Sequence, residues 1–186
     1  INKPKVEAEA HFNLAHLYTM QGKYNEALQN HKLSLAIRRS INDKKNEAQS
    51  LNDIGELYGL MKNAEKAMAN HLVALEIRQK LKDKKGIAES YNNIGAEYYH
   101  QKNFNRAIAN LDLALAAGKE SDDQHQMSIS YEYLSECFEA KGDLSKALQH
   151  KDDFFGMNEL IQGEKDEQEL LDAQNSYAVR KTEEEI

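Results

Sequence analysis

The chain has 186 residues, of which 40% are hydrophobic and 30% charged, and this composition is sufficient for a single soluble domain. The formal net charge of -7 disfavours a general nucleic-acid binder, which needs a basic face to neutralise phosphates. The single cysteine excludes an internal disulfide, and no apolar run approaches the roughly 18 residues of a membrane span.

Helical elements recur along the chain at a period of forty residues. Four registers align at this spacing. They are a large apolar register (Leu14, Ile54, Ile94, Leu134), a small register (Ala15, Gly55, Gly95, Ser135), an aromatic register (Tyr18, Tyr58, Tyr98, Phe138) and an alanine register (Ala27, Ala67, Ala107, Ala147). We expect the small residues to let the two helices of a unit approach closely.

The repeats divide the chain into four units, at about residues 7–45, 46–85, 86–125 and 126–163. Within each unit the apolar residues are three and four positions apart, which is helical spacing. Polar breaks fall inside the units at "QGKY", "LMKNA", "HQKNF" and "AKGDL", and between them at "INDKK", "LKDKK" and "SDDQH". Each unit is therefore predicted to be two antiparallel helices, and the fold class to be all-α.

The regular array is predicted to end with the fourth unit. Phe154 occupies a position where the earlier units have serine or alanine, and its ring would prevent the close approach of another repeat. Residues 164–186 carry eight acids and three bases and lack the repeat registers. They are predicted to form an acidic ninth helix or linker, with an apolar stripe of Leu170, Leu171, Ala173, Tyr177 and Ala178 that packs on the last pair near its start.

These registers, from Glu7 to about Gln149, resemble the motif of the tetratricopeptide repeat family. The resemblance implies a right-handed superhelical solenoid of helix-turn-helix repeats that binds protein or peptide ligands. The stretches "SYNNIGAEYYHQKNFNRAIANLDLAL" and "LKDKKGIAESY" are most similar to the sensor regions of bacterial histidine kinases and transcriptional regulators. In that group a terminal helix leads from the repeats toward a membrane segment, a coiled coil or an output domain.

The residues that could carry chemistry do not form a recognisable catalytic or metal site in the sequence. His31 and His71 share one register on consecutive second helices, about 10 Å apart, which is too far for both to bind one zinc ion. Cys137 has no activating base nearby in the sequence and is interpreted as an inert thiol. We therefore predict no enzyme activity, no metal and no cofactor.

Asparagines recur on the first helix of the units although asparagine is a poor helix former. Asn13, Asp53 and Asn93 share one register, and Asn52 and Asn92 lie one residue earlier. With the other registers in the core, these side chains should face the concave wall, where an amide can pair with a peptide backbone. The resemblance supports this placement. The alternative is that the amides cap or crosslink neighbouring first helices.

The same concave wall is predicted to display an aromatic and acidic lining that suits an apolar and basic ligand, and its members are Phe12, His16, Glu56, Tyr99, Glu132 and Glu136. We predict a non-catalytic peptide-binding module, either the sensory or regulatory region of a bacterial signalling protein or a free-standing adaptor. The chain begins at Ile1 rather than methionine, so we expect it to be part of a longer protein. The sequence leaves open whether the module forms a homodimer and whether it is cytoplasmic or periplasmic.

Overall fold

The computed structural model describes the backbone of residues 3–184 and the side chains of residues 3–172 and 174. The backbone described contains helices and turns, with no strand, as predicted. The eight helices are α1 (Lys3–Met20), α2 (Tyr24–Ser40), α3 (Lys44–Leu60), α4 (Ala64–Leu81), α5 (Lys84–His100), α6 (Phe104–Ser121), α7 (Gln124–Ala140) and α8 (Leu144–Glu184).

All seven turns between the helices have the same construction. Each turn contains one residue with a left-handed backbone, which is glycine at Gly22 and Gly142 and a non-glycine residue in the other five turns. The next residue is the N-cap of the following helix. In the five turns from α2 to α7 the N-cap is Asp or Asn, and its side chain accepts a hydrogen bond from the backbone N–H three residues later. The polar breaks in the sequence therefore mark the ends of the helices.

The helices form two layers. Each first helix packs against the second helix of its own unit, and each second helix packs against the first helix of the next unit. The first helices of consecutive units also contact one another, as in α3 with α5 and α5 with α7. Because the first helices approach more closely, the stack curves with α1, α3, α5 and α7 on its concave side.

The predicted packing registers lie in the core. Ala27, Ala67 and Ala107 have no exposed surface, and Ala147 is also buried. A Cβ atom added to Gly95 would lie 2.8 Å from Leu111 Cδ2, so glycine there permits the close approach of α5 and α6. Leu14 is the exception in the large register, because its side chain is exposed.

The last helix differs from the prediction. α8 runs for 41 residues without a break, so the expected separate ninth helix is an extension of the eighth. Ser128 Oγ donates to Asn158 Oδ1 and Gln124 Nε2 donates to Glu164 Oε1, which ties α8 to α7 as far as residue 164. Beyond that point Leu170 and Leu171 are exposed, so they do not pack on the last pair. The side chains of Ala173, Tyr177 and Ala178 lie outside the described residues.

Among the residues that the structure describes, no helix is both long enough and apolar enough to cross a bilayer.

Candidate functional site

The concave layer contains all of the residues predicted to bind ligand, but it places them in different environments. Asn52 and Asn92 are buried, Asn93 is half-buried and Asn13 is exposed. Adjacent residues of a helix point about 100° apart, so only one of each asparagine pair can face the open side of the layer.

Asn52 and Asn92 connect neighbouring first helices. Asn52 Nδ2 on α3 donates to Glu89 Oε1 on α5 at 2.7 Å, and its Oδ1 is 3.1 Å from His71 Nδ1. Asn92 Nδ2 on α5 donates to the Gln126 backbone oxygen on α7 at 2.9 Å, and its Oδ1 accepts from Ser130 Oγ at 2.7 Å. These contacts correspond to the crosslinking alternative, because neither buried amide is presented to the surface.

Asn93 and Glu56 form the border between this buried network and the concave surface. Asn93 Nδ2 donates to Asn52 Oδ1 at 2.9 Å and to Glu56 Oε1 at 3.0 Å. Asn52 Nδ2 also donates to Glu56 Oε1 at 3.0 Å. The two amides therefore hold the Glu56 carboxylate in a fixed position on the surface between α3 and α5.

Among the acidic residues of this surface, Glu56 has the largest shift in the pKa of its carboxyl group. Desolvation by the surrounding protein, together with the nearby carboxylates of Asp53 and Glu89, raises its pKa from 4.5 to about 7. The Asn93 hydrogen bond and the positive charge of His16 act in the opposite direction. The side chain is nevertheless exposed to solvent. It lies in a concavity, where protein atoms displace much of the water around the carboxylate but a ligand can still reach it.

A cleft of about 350 Å³ opens beside Glu56. It is bordered by α3, α5 and α7, and its lining is acidic, aromatic and apolar. The lining residues are Glu56, Gly59, Leu60, His71, Asn93, Ala96, Glu97, His100 and Tyr133. Glu97 is mostly buried against Gly59, and burial raises the pKa of its carboxyl group.

An aromatic cluster continues the surface toward α7. The Tyr99 ring lies 5.6 Å from the Tyr133 ring and 5.5 Å from the His100 ring, centroid to centroid, both with edge-to-face geometry. Burial raises the pKa of the Tyr99 hydroxyl, and Glu136 raises it further. Glu136 is half-buried, and Glu132 is exposed on the same helix. Of the acidic and aromatic lining expected from the sequence, Tyr99, Glu132 and Glu136 thus lie on α5 and α7.

The other predicted residues lie at the N-terminal end of the concave layer. Phe12 packs edge-on against His16, with ring centroids 4.6 Å apart, and the Arg38 guanidinium lies 4.2 Å from the centre of the Phe12 ring. His16 Nε2 lies 3.1 Å from Asp53 Oδ2, and Asp53 raises the pKa of the His16 ring. Asp53 itself is buried, so it supports this cluster from beneath rather than forming open surface.

Sequence analysis missed Tyr133, His100, Glu97 and Leu60, which all line the cleft. A signal for Tyr133 was present, because it lies in the same forty-residue register as Asn13, Asp53 and Asn93. The other three members of that register are polar, so the register predicts a polar position and does not single out its aromatic member. The other three lie in the last turn of their helices, where helix phase alone does not show which way a side chain points.

Three residues whose side chains are chemically reactive or charged have structural roles. Cys137 is fully buried, and burial raises the pKa of its thiol to about 11, which keeps the unreactive protonated form. Arg38 and Arg78 are also buried, where they bridge helices: Arg78 donates to the Gly86 backbone oxygen at 3.0 Å and to Ser90 Oγ at 2.7 Å. The guanidinium groups of these two arginines are therefore not part of the exposed surface.

A curved stack of helix pairs with a cleft on its concave layer defines a class of helical-repeat proteins that bind other proteins or peptides. A family model described as tetratricopeptide repeat matches residues 6–80 and 86–153. The chain therefore belongs to the tetratricopeptide repeat family. A comparison with curated proteins gave no significant match.

Solved structures share the fold. BtubC (BKLC) from P. vanneervenii is 25% identical with a TM-score of 0.74, and the match covers 86% of this chain and 66% of that one. Aspartyl phosphate phosphatase F from Bacillus subtilis is 15% identical with a TM-score of 0.82, over 87% and 43% of the two chains. A Rap protein complexed with Competence and Sporulation Factor is 21% identical with a TM-score of 0.78, over 84% and 44%. The chain thus spans about two thirds of BtubC and less than half of the other two.

Proposed function

We propose that the concave cleft between α3, α5 and α7 binds a peptide segment that carries basic and apolar side chains. The observation that carries this proposal is the combination of Glu56 and Glu97 with the rings of Tyr133 and His100 in one cleft. A lysine or arginine of the ligand would pair with Glu56, and apolar side chains would pack on the rings. The module binds without catalysing a reaction.

Within this proposal the predicted residues have different roles. Glu56, Tyr99, Glu132 and Glu136 contact the ligand, together with the exposed Asn13 and the half-buried Asn93. The buried amides of Asn52 and Asn92 each form a hydrogen bond to a neighbouring first helix. They therefore fix the spacing of the helices that form the ligand-binding surface. Phe12 and His16 form the N-terminal end of the surface, and the buried Asp53 supports them from beneath.

The test is a display library of random peptides selected on the full chain, followed by calorimetry with the synthetic peptides recovered. We expect the recovered sequences to be enriched in Lys, Arg and apolar residues. Glu56→Gln should weaken binding about tenfold, because the ligand cation loses its partner. The matched control is Glu76→Gln, since Glu76 is exposed on the outer helix α4. Recovered peptides without basic residues, or equal affinities for the two variants, would contradict the proposal.

The pKa of Glu56 adds a second readout. At pH 6 most Glu56 carboxyl groups with a pKa of about 7 are protonated, whereas at pH 8 most are ionised. Affinity for a basic peptide should therefore rise between pH 6 and pH 8, and Glu56→Gln should remove this rise. A rise that persists in the variant would show that another group, such as His16, controls it.

We further infer that the module is the sensory or regulatory region of a bacterial signalling protein, with residues 1–163 as the binding unit and residues 164–186 as a connecting helix. The continuous helix α8 supports this inference, because it leaves the repeats as an acidic extension. The Rap protein structure supports it only at the level of the fold, as a similar solenoid complexed with a separate factor. The test is the reading frame after Ile186. A kinase or DNA-binding domain would support the regulatory role, and an immediate stop codon would favour a free-standing adaptor.

A further inference from the structure

Three side chains from three different helices converge at the N-terminal end of the concave layer. They are His16 on α1, His31 on α2 and Asp53 on α3, and one possible ligand atom from each lies within 4.8 Å of the others. His16 and Asp53 supply the shortest separation, 3.1 Å between Nε2 and Oδ2. The forty-residue pattern does not reveal this group, because its members occupy three different registers.

One of the three has a polar atom that is buried and unpaired. His31 is 1% exposed, and its Nδ1 has no hydrogen-bond partner among the described residues. Asp53 is 5% exposed, and its Oδ2 lies 3.1 Å from His16 Nε2, while its Oδ1 accepts a hydrogen bond from Gln49 Nε2 at 2.9 Å. Buried polar atoms in folded proteins nearly always have a partner, so the unpaired His31 Nδ1 requires an explanation.

The second repeat shows that the arrangement at His31 is specific. His71 occupies the same register, and its Nδ1 pairs with Asn52 Oδ1 at 3.1 Å. In the first repeat, Phe12 occupies the position of Asn52 and offers no polar partner. The Gly55 position, against which the His71 ring packs, is Ala15 in the first repeat. The His31 ring instead lies 5.2 Å from the His16 ring, centroid to centroid.

We propose that His16, His31 and Asp53 bind a zinc ion. Two imidazole nitrogens and one carboxylate oxygen are typical zinc donors, with bonds of about 2.0–2.2 Å, and three protein ligands leave a fourth position open. Tetrahedral geometry at these bond lengths separates ligand atoms by about 3.3–3.5 Å. The present separations of up to 4.8 Å therefore need a contraction of about 1 Å, which the exposed His16 side chain can supply.

The electrostatic surroundings agree with a cation at this point. The buried Asp53 carboxylate supplies a negative charge within the cluster. The positive charge of Arg38 is paired with Glu9 at 3.2 Å. The open coordination position would face the exposed side of His16, on the same surface as the peptide cleft. The metal site does not depend on the proposed peptide binding.

The experiment is calorimetric titration of the metal-stripped full chain with zinc chloride. We expect one ion per chain, with affinity lowered at least about tenfold in His16→Ala and in Asp53→Asn. His125→Ala is the matched control, because His125 is exposed on α7 and its removal leaves the same number of histidines as His16→Ala. The control should bind zinc like the unmodified chain.

A second measurement distinguishes a loss of zinc binding from a folding defect in the variants. Saturating zinc should raise the melting temperature of the unmodified chain and of His125→Ala, because the ion binds only the folded site, and it should have a much smaller effect on His16→Ala. Since His16 is exposed, His16→Ala should fold even if Asp53→Asn does not. Absence of one-to-one binding by the unmodified chain, or unchanged binding by His16→Ala, would overturn the proposal.

Discussion

Repeats one and two have the same backbone architecture as repeat three but different side chains at two core registers. The register between the paired helices is histidine in repeats one and two, at His31 and His71, and Leu111 in repeat three. The register that holds the buried Arg38 and Arg78 becomes Gly118 in repeat three, where the Met127 side chain packs beside the glycine. At these two registers repeats one and two are therefore polar, whereas repeat three is apolar.

This difference shows that the repeat specifies a shape rather than a particular interaction. A polar group is tolerated at a core position when the next helix supplies a partner, as Ser90 and the Gly86 carbonyl do for Arg78. An apolar side chain needs only a matching volume. The acidic cleft lies where the polar network meets the surface, so the polar repeats also determine how the site is charged.

The largest expected effect is in repeat three. Leu111→Ala should lower the free energy of unfolding by about 3 kcal/mol, because it leaves a cavity at a fully buried position against Gly95. Leu113→Ala is the control, since Leu113 lies on the same helix and is 49% exposed. Urea unfolding followed by circular dichroism measures both. Similar losses for the two variants would mean that the core of this repeat is wrongly placed.

A smaller loss is expected in the polar repeats. Arg38→Met should cost about 2 kcal/mol, because it leaves Ser50 Oγ and the Asn46 carbonyl oxygen without their charged donor. The neighbouring Arg39→Met should cost less than about 1 kcal/mol, since Arg39 is half-exposed and forms a surface ion pair with Glu47. The same unfolding measurement applies. If Arg38→Met were neutral, the polar network would contribute little beyond packing.

The smallest effect should be equal in repeats two and three, because the turns are equal. Lys62 and Lys102 have left-handed backbones, with φ of 59° at each. Replacing either by glycine should stabilise the protein by about 0.5–1 kcal/mol through relief of that conformation. Lys32→Gly, at an exposed position inside α2, should instead destabilise it by a similar amount. Unequal gains at residues 62 and 102 would show that the turns differ in a way that their backbone does not reveal.

Much of the fold could be predicted from sequence because its signals are local. Turn residues, N-caps and the alanine register each act within one or two helical turns, so the forty-residue period identified the helix pairs. The end of α8 could not be predicted in this way. The loss of the repeat registers after residue 163 predicted a separate helix, but no proline or turn sequence stops the helix there, and Gly163 inside a helix costs only about 1 kcal/mol.

The site was harder to predict because it depends on how consecutive repeats are oriented. Whether Asn92 or Asn93 points to the surface is decided by the rotation of α5 about its axis and by the distance to α7, which no single helix encodes. The polar character of the wall could be predicted. The proposed zinc ligands could not, since they meet only after α1, α2 and α3 have packed.

The length of α8 has a mechanical consequence. The part of the helix beyond residue 164 contains about twenty residues up to Glu184, which corresponds to about 30 Å of rigid rod at the rise of an α-helix. Its base is fixed to α7 by the Ser128–Asn158 and Gln124–Glu164 hydrogen bonds. A tilt of about 10° at that base would move the far end by about 5 Å. By geometry alone, the extension would convert a small rearrangement of the repeats into a displacement comparable to the width of a side chain.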